Sequence, residues 1–124
     1  MRIAIVFIAL LLSVVSAQAK VTVSGKPMIV YRAWATNPDC TSAGKVEIRV
    51  TEGPEHGRLS LRRGGVFPNF AQSNVRSACN RRRVPGVEVI YVSQRGYVGP
   101  DNVVIEVFYP GGRGVRVHTP IQVM

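Results

Sequence analysis

The chain has 124 residues, 16 Lys+Arg against 7 Asp+Glu, and a formal net charge of +9. That length holds one domain and excludes a large multidomain enzyme. An apolar fraction of 46% and a charged fraction of 19% exclude a disordered polar tail.

Residues 1–19 read as a signal peptide. Arg2 supplies the positive n-region, residues 3–12 are an unbroken apolar run, and Ala17-Gln18-Ala19 is a small-residue cleavage site. A retained anchor is the alternative. A spanning helix needs about 20 apolar residues, however, and the polar Ser16 and Gln18 interrupt the run too early. Cleavage after Ala19 leaves one domain over residues 20–124 with no second apolar run of spanning length. The periplasm or the medium is the expected destination, and the compact leader fits a bacterial exporter.

From there the hydrophobic period is two. Residues 21–23 and 28–35 are β-prone, with Val30 or Tyr31 and Trp34 as core candidates. Residues 45–51 alternate without a fault and turn Val46, Ile48 and Val50 inward. Residues 58–62 repeat the pattern with Leu59 and Leu61. Residues 62–84 form an Arg-rich irregular segment, with room for a short strand at Val66-Phe67 or one helical turn over 70–74. Residues 87–93 place Val87, Val89 and Tyr91 on one face. Residues 102–109 do the same with Val103, Ile105, Val107 and Tyr109, and residues 114–123 with Val115, Val117, Ile121 and Val123. Gly- and Pro-rich turns separate these runs. About seven short alternating strands in one small domain predict an all-β, antiparallel β-sandwich.

Cys40 and Cys79 are the only cysteines. In an exported chain an even count predicts pairing, and a Cys40–Cys79 bridge would tie the irregular segment to the loop holding Cys40. A metal site would have to recruit His56 and His118, which lack zinc-type spacing. A catalytic thiol would need a nearby base and a reducing compartment. No G-x-S-x-G elbow or Walker loop occurs, and so small a domain leaves little room for a cleft flanked by paired carboxylates. The sequence therefore predicts a protein that is not an enzyme and has neither metal nor cofactor.

Two stretches carry a resemblance. Residues 51–61, with Pro54, His56, Gly57, Leu59 and Leu61, resemble the P-x-H-G-x-[VL]-x-L opening of bacterial cadherin-like and Ig-like repeat domains. Residues 89–107, with Tyr91, Gly96, Tyr97, Gly99, Asp101, Val103 and Ile105, resemble their G-[FY]-x-G-x-D signature. The resemblance implies an Ig-like or cadherin-like sandwich that works in the envelope as a binding or spacer module. The residues make physical sense in that frame. Gly57 permits a turn, Gly96 and Gly99 can take positive φ around Tyr97, and Asp101 can accept backbone N–H bonds. Those four are read as turn-forming. A calcium role for Asp101 would need six to eight oxygens from a chain with few acids. The family usually occurs as tandem arrays, whereas this chain holds one unit.

The sharpest local feature is basic. Arg62, Arg63, Arg76, Arg81, Arg82 and Arg83 fall within a stretch that contains no acid. Guanidinium forks bind carboxylate, phosphate or sulfate oxygens in pairs. These six are the candidate anion-binding residues, against the plainer reading of a solubilising loop. The expected partners are an anionic envelope polymer, a lipid headgroup or an acidic protein surface, with no specific nucleic acid. The functional expectation is an exported, non-enzymatic binding or structural module. A secreted inhibitor or host-interacting factor is the alternative, and strand exchange at a sheet edge is a third.

Overall fold

A computed structural model describes residues 18–124. The expected signal peptide therefore lies almost wholly outside the described residues. Seven strands follow in order: β1 (Lys20–Thr22), β2 (Met28–Trp34), β3 (Glu47–Glu52), β4 (Gly57–Val66), β5 (Val84–Ser93), β6 (Gly99–Phe108) and β7 (Gly114–Val123). They form a four-stranded sheet, β1-β7-β6-β3, facing a three-stranded sheet, β2-β5-β4. Every pairing is antiparallel except β1 with β7. The connections from β1 to β2, β2 to β3, β3 to β4 and β5 to β6 cross between sheets, which is the wiring of an immunoglobulin-type sandwich. Among the described residues no helix is long and apolar enough to cross a membrane.

The period-two rows build the core. Val87, Val89 and Tyr91 of β5 face Val103, Ile105 and Val107 of β6, with Val30 and Ala33 from β2 and Ile121 and Val123 from β7. The bulge between Ile29 and Tyr31 sends Val30 inward and leaves Tyr31 and Trp34 half-buried. Two expectations about edges fail. Leu61 is 46% exposed and Val50 39%. Both alternate correctly, but β4 and β3 are terminal in their sheets, so nothing roofs the ends of their inward rows. The expected helical turn over 70–74 is a short 3₁₀ helix at Ser77–Arg81 instead.

The end of the sandwich carrying the β3–β4 and β5–β6 connections is closed by polar groups. Asp101, at the start of β6, is 8% exposed. Its Oδ1 accepts from the N–H groups of Glu55 (2.9 Å) and Asn102 (2.8 Å), and its Oδ2 from His56 N–H (3.1 Å) and the Tyr91 hydroxyl (2.7 Å). Burial disfavours the ionised carboxyl, but these four donors together outweigh it and hold Asp101 below the ordinary carboxylate range. Burial and the same carboxylate keep the Tyr91 proton firmly in place. Gly57 is required by close approach, since a Cβ there would lie 2.5 Å from Val92 O and 2.7 Å from the Tyr91 ring. Gly99 has φ +139° and lies against the Tyr97 ring, which stacks on His56 at 4.0 Å. Gly96 also has positive φ. His118 is exposed and hydrogen-bonds Asn102.

Two outcomes follow. A Cβ at Gly86 would lie 2.5 Å from Val66 Cγ2 and 2.6 Å from Ala33 O, so Gly86→Ala should cost about 2 kcal/mol in denaturant unfolding. Asp101 stabilises the fold fully above the unfolded carboxyl value, about pH 4, and that contribution is lost as pH falls through its lower folded value. The thermal midpoint should therefore drop as pH falls below about 4, and Asp101→Asn should flatten that drop while lowering stability at neutral pH by about 2 kcal/mol.

Candidate functional site: the disulfide-stapled loop end

The opposite end carries the connections 35–46, 67–83 and 109–113. All three are irregular, and the first two are joined by the Cys40–Cys79 disulfide, with Cα atoms 5.4 Å apart. Cys79 is fully buried in the 3₁₀ helix. Cys40 is held at φ 70°, a left-handed conformation that few non-glycine residues adopt. The preceding turn enforces it: the Asp39 carboxylate accepts from Thr41 N–H (3.1 Å) and hydroxyl (2.6 Å), which also lowers its pKa. Asn80 clamps the Phe70 backbone through two bonds of 2.8 Å.

A pocket of about 470 Å³ opens where the three loops meet. Trp34 and Thr36 enter from the first loop side, Phe70 and Arg76 from the second, Tyr109 and Arg113 from the third. Trp34 and Phe70 meet edge-on at 5.8 Å, and the Arg113 guanidinium lies 4.7 Å from the Tyr109 ring centroid. The hydroxyls of Tyr31 and Tyr109 lie 3.3 Å apart, and burial, with that bond, pushes Tyr31 up to about 12. The Thr36 hydroxyl is buried without a partner among the described residues.

The six candidate arginines do not form one cluster. Arg62 and Arg63 belong to β4, which stays regular to Val66, so the irregular segment is shorter than the expected 62–84. Arg62 lies across from Glu88 (3.3 Å), which also faces Arg32 (3.7 Å). Arg63 binds Glu47 (2.8 Å) and Val46 O (2.9 Å). The acids missing from the local sequence are thus supplied by neighbouring strands. Arg76 donates to Thr36 O (2.8 Å), and Arg83 lies over Phe67 at 5.3 Å. Arg81 and Arg82 are exposed, with no side-chain partner among the described residues. Lys45 and Arg113 join this end from other loops, where sequence distance hid them. Its loops thus carry Lys45, Arg76, Arg81, Arg82, Arg83 and Arg113 against the single acid Asp39, which its own turn already engages.

No protein-family model and no curated protein matches the chain. The solution structure of Amebosin is similar to it at 13% identity and a TM-score of 0.44, over 86% of this chain and 88% of that chain. A likeness that distant carries no argument about fold or function.

Replacing both cysteines by serine should cost about 4 kcal/mol by loop-closure entropy. Hydrogen exchange should rise first over residues 35–46 and 67–83, leaving the β5–β6 core protected until global unfolding.

Proposed function

We propose that the protein is an exported, non-enzymatic binding module of the bacterial envelope that takes an anionic polymer on its disulfide-stapled loop end. The observation that carries this reading is the charge imbalance of that end. Its three loops carry six bases against one self-satisfied acid, while the other end carries Lys26 and Arg95 against Glu55 in its connections. Uncommitted guanidinium groups bind oxyanions in pairs, and Arg81 and Arg82 are the uncommitted ones. The disulfide fits an oxidising compartment outside the cytoplasm and holds the loops in place before binding, which reduces the entropy lost on association. The resemblance to cadherin-like and Ig-like repeat domains supports binding over catalysis.

The test uses charge-matched pairs. Arg81→Ser with Arg82→Ser should elute from immobilised heparin, a surrogate polyanion, at clearly lower salt than wild type, with an unchanged melting temperature. Arg58→Ser with Arg95→Ser removes the same charge at the far end and should elute close to wild type. Equal losses from both pairs would mean that net charge alone governs retention, and the reading would fail.

A further inference from the structure

A larger opening lies on the flank, and neither Arg81 nor Arg82 lines it. It is a cleft of about 640 Å³ between the free edges of the two sheets, where β3 ends one and β4 ends the other. Val46, Val84, Pro85 and Val87 line it, and Val46, Val84 and Val87 are core residues no more than 4% exposed. Lys45, Arg63 and Arg83 stand at its mouth. Arg63 is the unusual one. It follows Leu59 and Leu61 in the inward row of β4, opposite Val87, at a position where an apolar side chain is expected. From there it reaches across the gap to Glu47 and Val46 O. Lys45 also reaches Glu47, at 3.1 Å. One acid therefore serves two bases, and Arg83 has only the Phe67 ring. Gly64 and Gly65 leave the β4 wall without bulk, and the stem of Arg83 lies against Gly65.

The geometry points to a binding site for a single-chain amphipathic anion, an acyl chain with a carboxylate head. The volume falls in the range of small-molecule sites. The accessible apolar lining, Pro85 with the Gly64–Gly65 wall and the Arg83 stem over the buried valines, favours a chain that leaves water, and the surplus cations at the mouth favour a head that accepts paired hydrogen bonds. A short anion forfeits the floor, and an uncharged chain forfeits the mouth. The site uses neither Arg81 nor Arg82, so the Arg81/Arg82 pair separates its test from that of polymer binding.

Titration calorimetry of the disulfide-intact protein with dodecanoate, below its micelle concentration, tests this. Dodecanoate should saturate at one molecule per chain, and acetate should give no measurable heat. Lys45→Gln with Arg83→Gln should weaken dodecanoate by about tenfold or more while leaving binding of 1-dodecanol unchanged. Arg81→Ser with Arg82→Ser should bind dodecanoate as wild type does. The proposal is overturned if dodecanoate does not saturate, which would leave Arg63 as a charge guarding a sheet edge. It is equally overturned if the Lys45/Arg83 variant binds as wild type, or if the loop-end pair is the one that loses binding.

Discussion

One buried hydrogen bond joins the two sheets at the β3–β4 end of the core: the Tyr91 hydroxyl of β5 donates to the Asp101 carboxylate of β6 at 2.7 Å. Tyr91 is fully buried among the valines of both sheets. A phenol in that position brings a large apolar ring and one hydroxyl that must be satisfied. Asp101 satisfies it, and its remaining lone pairs then hold the backbone of the β3–β4 turn. Register, turn and sheet-to-sheet docking at that end are thereby one arrangement. Loss of any member leaves a buried polar group unpaired, which costs more than the bond itself contributes.

The two ends of the sandwich solve the same closure problem by different means. At the Asp101 end, tight turns and a buried carboxylate are enough. At the other, two long irregular connections carry few large apolar side chains, and the second carries four arginines, so burial alone cannot order them. A covalent bond and the Asn80 clamp do so instead. The result is a fixed surface that is free to be polar. In this protein the residues that hold the fold together and the residues available for binding are therefore separated along the long axis of the sandwich.

Charge was only partly legible in the chain. A run of arginines with no acid nearby reads as one cationic site, but strands bring residues distant in sequence into register. Glu88 arrives opposite Arg62 because β5 pairs with β4, and Glu47 meets Arg63 because the β3 and β4 edges approach each other. Conversely, Arg113 lies in a hairpin far along the chain and still joins the loop end. Proximity in sequence says little about proximity in an antiparallel sandwich, where most contacts are long-range.

By itself the sequence determined the strands and their inward rows, because a period of two in β-branched residues admits little else. It also determined the pairing of two cysteines, which had no other partner. Only the tertiary structure decided which inward rows are roofed. Leu61 and Val50 obey the alternation yet lie exposed, because strand order, set by crossovers between sheets, makes β4 and β3 edges. The same strand order decided that Asp101 serves a turn from another sheet crossing, that four of the six arginines are already engaged, and that an inward-facing Arg63 stands at the mouth of a cleft. Local patterning specifies which face of a strand is apolar; what lies opposite that face is a property of the assembled sheets.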